Sequence, residues 1–107
     1  MSAVPKRAVV LVAAAVFAAA APAQAETINV TMTNVAFEPA TVNAKVGDTI
    51  EWINNDVLAH TATARNGDFD VMMPPRKTVT SVLKKAGTVE YYCRFHPNMK
   101  AVLTIAP

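Results

Sequence analysis

Four residues of this chain make a candidate donor set for a soft or borderline metal ion. Cys93 is the only cysteine. His96 and Met99 follow it at three-residue intervals in the stretch Tyr91-Tyr92-Cys93-Arg94-Phe95-His96-Pro97-Asn98-Met99. The other histidine of the chain, His60, stands far upstream. A lone cysteine forms no internal disulfide, so this one is not half of the usual staple of a small exported domain. A thiolate, two imidazoles and a thioether instead make a donor set for one metal ion, with thiolate and thioether on the soft side.

Taken one at a time, these residues have plainer readings. A buried cysteine is usually a small hydrophobe, and a methionine usually fills a gap in a core. The combination is better explained by one metal. Structural zinc prefers sets from Cys₄ to Cys₂His₂ and rarely takes a thioether. Iron–sulfur clusters usually need four thiolates, and c-type haem needs C-x-x-C-H. A binuclear copper centre with two bridging thiolates needs a second cysteine. A trigonal His₂Cys set with a weak axial methionine is a mononuclear copper arrangement.

The elements that must position these side chains read as strands. Thr27–Thr33, Thr41–Val46 and Thr49–Trp52 alternate polar and apolar residues, the period of a half-buried strand. His60–Ala64, Thr78–Leu83, Thr88–Cys93 and Ala101–Ile105 are further candidates, separated by turn signals such as Gly47-Asp48, Asn54-Asn55-Asp56, Asn66-Gly67 and Ala86-Gly87. With no long helical periodicity after residue 25, the expectation is an all-β domain, a sandwich or small barrel. In Thr88–Cys93, Val89, Tyr91 and Cys93 share the apolar face, so Cys93 points inward at a strand end. Pro97 disfavours helix at His96, and Arg94–Met99 reads as a tight loop that returns His96 and Met99 toward the sulfur. Trp52 falls on an inward face and reads as core.

Residues 1–25 have the layout of a cleaved secretory signal: Lys6 and Arg7, then an apolar run from Ala8 to Ala21, then Ala23-Gln24-Ala25. The apolar run is short for a membrane span, so no stable membrane insertion is expected after cleavage. Lys6 and Arg7 leave with the signal, and 26–107 then carries balanced charge, with no basic excess to suggest nucleic acid. One small domain at 26–107, exported to the periplasm, is the expected organisation.

Three stretches carry a family resemblance: "FEPATVNAKVGDTIEWIN" from Phe37 to Asn54, "AHTAT" around His60, and "AGTVEYYCRFHPNM" from Ala86 to Met99. With them the chain resembles the type 1 blue copper proteins of the plastocyanin/azurin (cupredoxin) group. It is most similar in pattern to the amicyanins, whose short C-x-x-H-x-x-M ligand loop it shares. The resemblance implies a Greek-key β-sandwich of about eight strands. It implies His60 and His96 as imidazole ligands of one copper ion, Cys93 as thiolate and Met99 as axial thioether. It further implies single-electron transport through Cu(I)/Cu(II) cycling rather than enzyme activity.

Redox protein partners follow from the same resemblance: a donor dehydrogenase, and a c-type cytochrome or oxidase as acceptor. They are expected to dock on a monomer at an apolar patch where His96 emerges among Leu58, Met72, Met73, Phe95, Pro97 and Asn98. Tyr92, beside Cys93 on the opposite strand face, reads as an ordinary surface tyrosine, with a second electron exit as the other reading. Amicyanins usually carry asparagine after the first ligand histidine and threonine after the cysteine, side chains that tie the ligand segments together. Here those positions hold Thr61 and Arg94, so the usual pair is absent. The rival functional readings are a periplasmic copper carrier or storage protein with the same ligands, and a metal-free binding module.

Overall fold

The computed structural model describes residues 24–107; the expected signal, 1–25, lies almost wholly outside them. Nine strands form two sheets: β1 Thr27–Thr33, β2 Ala36–Glu38, β3 Thr41–Lys45, β4 Thr49–Asn54, β5 His60–Ala64, β6 Asp70–Met73, β7 Thr78–Val82, β8 Gly87–Cys93 and β9 His96–Ala106. One sheet has the order β2-β1-β4-β7 and the other β3-β9-β8-β5-β6. The pairs β1–β4 and β3–β9 are parallel; the remaining pairs are antiparallel. This is the all-β sandwich expected, with nine strands where about eight were anticipated.

The period-two pattern sets the core. Val30, Met32, Ile50 and Trp52 face inward from one sheet; Ala62, Ala64, Val89, Tyr91, Leu103 and Ile105 face them from the other. Trp52 sits at the centre, edge-on to Phe37 and Tyr91 with ring centroids 6.5 and 5.4 Å away. Its indole N–H donates to Ser81 Oγ at 2.8 Å, so burying this ring leaves no donor unpaired.

Three strands depart from the sequence reading: β2 and β6 were not among the expected strands, and β9 begins earlier than expected. β6 covers Asp70–Met73, a stretch to which the sequence reading assigned no strand and which the turn signal Pro74-Pro75 follows. It is an edge strand paired only to β5, and Pro74, which has no N–H to offer a ladder, lies just beyond its end. β9 begins at His96 rather than Ala101. The expected loop Arg94–Met99 is a two-residue turn, Arg94-Phe95, which sets His96 directly opposite Cys93. The register then slips: Tyr92 faces Lys100 while Cys93 faces His96, leaving Pro97, Asn98 and Met99 as extra residues on β9.

The β3–β4 turn fastens the start of β1. Asp48 is buried, and its carboxylate accepts from the backbone N–H of Glu26 (2.9 Å), the backbone N–H of Lys45 (2.9 Å) and Lys45 Nζ (3.0 Å). The two backbone donors, Glu26 first, hold the Asp48 carboxyl below the ordinary carboxylate range; burial opposes them and the Lys45 ammonium adds to them. Because the folded value is depressed, this group's contribution to stability is complete above the unfolded value of about 3.9 and is lost as pH falls through the folded value. Replacing Asp48 with asparagine is therefore expected to lower the melting temperature of the metal-free protein at pH 7. The gap from wild type should shrink as pH drops below about 4. Melting curves across that range check it; a gap that does not change with pH contradicts the assignment.

Candidate metal centre

At one end of the sandwich, His60, Cys93 and His96 converge, with one donor atom from each lying within 4.8 Å of the others. Cys93 Sγ lies 3.8 Å from His60 Nδ1 and 3.7 Å from His96 Nδ1. With metal–sulfur and metal–nitrogen bonds of about 2.3 and 2.05 Å, the values for the neighbouring ion zinc, a trigonal angle separates sulfur from nitrogen by about 3.8 Å and a tetrahedral angle by about 3.6 Å. The two separations, 3.8 and 3.7 Å, span that range, so a single ion could bond the sulfur and both nitrogens where they stand. One thiolate and two imidazoles at that spacing fit a copper ion, and the donor set, with one cysteine only, departs from the usual structural zinc sets. His60 and Cys93 are fully buried and His96 is partly exposed, so one imidazole alone reaches toward solvent.

Met99 lies on β9 just before the register resumes. It is 3% exposed and shares the apolar cluster with Cys93. Its position in the extra segment of β9 puts the thioether on the inward side at the same end of the sandwich.

Asp56 orients the upstream imidazole. Its Oδ2 lies 2.7 Å from His60 Nε2. A carboxylate accepts, so the ring donates from Nε2 and leaves the Nδ1 lone pair facing the sulfur. The same carboxylate accepts the backbone N–H groups of Asn34 at 2.8 Å and Val35 at 2.9 Å. Those two residues form the β1–β2 turn and both take positive φ, 52° and 58°, the conformation of a mirror-image hairpin turn. A β-branched residue such as Val35 enters that region only under constraint, and Asp56 supplies it. Burial pushes the Asp56 carboxyl up, but the Val35 N–H, the His60 ring and the Asn34 N–H together outweigh it and hold the group below its ordinary range.

Asn54 completes the support. It is buried, its side-chain N–H₂ donates to the Leu58 carbonyl (2.8 Å) and shares its other N–H between the carbonyls of Pro74 (3.1 Å) and Met73 (3.2 Å), and its Oδ1 accepts from the Asp56 N–H (2.9 Å). The sequence reading took Asn54-Asn55-Asp56 for a turn and missed both roles. The available signal was an acidic residue four positions before a candidate ligand histidine, close enough to fold back onto its ring.

Thr61 and Arg94 do connect the ligand segments, by a route their side chains did not suggest. The Thr61 backbone N–H donates to Cys93 Sγ at 3.3 Å, and the Arg94 backbone N–H donates to Thr61 Oγ1 at 2.8 Å. The link needs only a short hydroxyl at one position and a peptide group at the other. Of the patch expected around His96, Leu58, Met72 and Phe95 are exposed, as are Pro97 and Asn98. Met73 is not: it is fully buried, paired with His60 across β5–β6, because alternation along β6 turns it inward. Val57, not anticipated, is the most exposed large apolar residue at this end, at 71%.

A two-sheet β-sandwich holding a His–Cys–His cluster at one end, two of its members buried and one partly exposed, defines a mononuclear soft-metal protein. A model of the cupredoxin-like domain matches residues 6–105, and the chain belongs to that family. It is 34% identical over 91 residues to the methylamine utilization protein MauL of Methylorubrum extorquens, covering 81% of this chain and 80% of that protein. It is 28% identical over 95 residues to amicyanin of Paracoccus denitrificans, covering 83% and 72%. Among solved structures, a reduced Cu(I) form of an amicyanin variant at pH 4 superposes with a TM-score of 0.67 at 29% identity, covering 83% of this chain and 90% of that one. Amicyanin of Paracoccus versutus superposes at 0.64 with 26% identity, covering 81% and 86%.

Removing the Asp56 carboxylate frees the His60 ring to turn and to change tautomer. Asp56→Ala is expected to weaken copper binding about 10- to 100-fold, the usual effect of losing a partner of a metal-bound histidine. A competition titration against a chelator measures this, and wild-type affinity in the variant contradicts the role given to Asp56.

Proposed function

We propose that this chain is a type 1 copper protein that carries single electrons, and that His60, Cys93, His96 and Met99 are the residues that would hold the copper ion. The convergence of two imidazole nitrogens on one thiolate sulfur, at 3.8 and 3.7 Å, is the observation that carries the reading. Bound copper supplies one-electron chemistry between Cu(I) and Cu(II). The protein's part is to keep the donors where neither oxidation state requires them to move. Hydrogen bonds on the remote side of His60 and on the Cys93 sulfur restrain two of the donors, and Met99 and the low polarity around the sulfur set the potential.

His96 is the partly exposed ligand and hence the route for electrons. Around that end Val57, Leu58, Met72 and Phe95 are exposed at 71, 47, 46 and 48%. Apolar exposure of this kind marks an interaction surface, and brief docking of redox partners there is the proposed use. A donor dehydrogenase and a c-type cytochrome or oxidase acceptor are the partner classes, met by a monomer.

The periplasm is the proposed compartment, with the signal cleaved after Ala25. The position of Glu26 supports that processing point: its backbone nitrogen lies 2.9 Å from Asp48 Oδ1, so the α-ammonium created by cleavage would face a carboxylate.

Adding Cu(II) to the purified protein is expected to give an intense absorption band toward the red end of the visible spectrum, from sulfur-to-copper charge transfer. Cys93→Ser is expected to abolish it. Weak absorbance with tight Cu(I) binding favours a copper carrier or store, and colour surviving the serine substitution overturns the ligand assignment.

A further inference from the structure

Arg94 is the first residue of the turn between two ligands, and that turn is not self-supporting. Neither Arg94 nor Phe95 takes a positive φ, so the turn is not of the mirror-image type whose twist matches paired strands. Something outside the hairpin must hold it.

The hydrogen bonds around Arg94 form a closed ring whose direction can be worked out. The Arg94 backbone N–H donates to Thr61 Oγ1 at 2.8 Å. Thr61 Oγ1 lies 2.9 Å from Thr63 Oγ1. Thr63 Oγ1 lies 2.7 Å from Asp70 Oδ1, and Arg94 Nε donates to the same oxygen at 3.3 Å. The Thr63 hydroxyl holds the Asp70 carboxyl below its ordinary range; partial burial opposes this and Arg94 adds to it. At neutral pH the carboxylate is ionised and only accepts. Thr63 must therefore spend its one proton on Asp70, and the hydroxyl–hydroxyl bond must run from Thr61 to Thr63. The ring leaves Arg94 through its backbone, crosses β5 and reaches β6, then returns through the guanidinium. The three bonds of the backbone arm run in one direction, from the Arg94 N–H through both hydroxyls to Asp70, and so polarise and strengthen one another, while the guanidinium donates to the same carboxylate from the other side.

The ring meets the metal site at Thr61. That residue is fully buried, and its own N–H is the donor to the Cys93 sulfur. We propose that Thr63 and Asp70 are positioning residues for the Cys93 sulfur: they orient the Thr61 hydroxyl toward the Arg94 amide, and so fix both the ligand turn and the N–H bond to the sulfur. Neither residue touches the donor atoms, and Asp70 is half exposed, so the ring runs from the surface to the thiolate. The inference rests on Cys93 being the copper ligand.

Thr63→Val keeps the shape and removes the relay, Thr63→Ser restores the hydroxyl, and Asp70→Ala removes the final acceptor from the surface. In the metal-free protein, amide hydrogen exchange at Arg94 is expected to speed up about ten-fold in Thr63→Val and Asp70→Ala, the loss of roughly one hydrogen bond, and to return to normal in Thr63→Ser. In the copper-loaded protein, both disrupting variants are expected to keep the charge-transfer band with its maximum displaced. Their reduction potential should fall, since a loosened N–H···S bond leaves more electron density on the sulfur. Lower melting temperatures with unchanged exchange at Arg94 and an unchanged potential would reduce the ring to ordinary scaffolding and overturn the proposal. Failure of the ligand assignment looks different: the wild type lacks the band, while exchange at Arg94 still responds to the substitutions.

Discussion

The ladder between β5 and β8 stops where the metal site starts, and the rest of the site is organised around that interruption. Tyr91 and Tyr92 pair with Ala64 and Thr63. Continuing that register would set Thr61 against Arg94, with backbone bonds closing the gap. Instead the Thr61 N–H turns to a sulfur and the Arg94 N–H turns to a hydroxyl. Both buried donors stay satisfied, as they must, but by side-chain atoms that stand further from the strand axis than a carbonyl does. Beyond the last paired residues the ladder gives way to these side-chain bonds, and there Cys93 Sγ comes within 3.8 Å of His60 Nδ1.

Asp56 answers the same problem from the other side. A ligand that begins a strand after a loop inherits the loop's freedom, and His60 begins β5. One carboxylate removes that freedom by accepting from the histidine ring and from two amides of the β1–β2 turn. Asn54 then ties the loop's own backbone to the end of β6 through three carbonyls. The upstream ligand is thus referred to both sheets, whereas the Cys93–Met99 group is referred mainly to one.

Most of the frame was legible because period-two alternation reports directly on which face of a strand is buried. Val30, Met32, Ile50, Trp52, Val89, Tyr91 and Cys93 all fell where that pattern put them. The donor residues were legible because few residue types bind soft metals and this chain has few of them. What stayed hidden was whatever depends on pairing across the chain. β6 has no period of its own strong enough to outweigh the prolines after it; only its pairing to β5 makes it a strand, and only that pairing sends Met73 inward. The slip between Tyr92 and Cys93 has no local marker. Asp56 and Asn54 read as turn residues because Asx side chains look alike in sequence whether they cap a turn or anchor a ligand.

The slip in register separates two demands that usually compete. From Lys100 onward β9 runs locked between β3 and β8, and its spacing is not negotiable. Pro97, Asn98 and Met99 lie outside that locked pairing, in the fold of chain that the slip creates. Residues inserted or removed there would lengthen or shorten the slack without shifting any rung of the sheet. The sandwich therefore behaves as a chassis on which the metal-binding segment is an exchangeable cartridge.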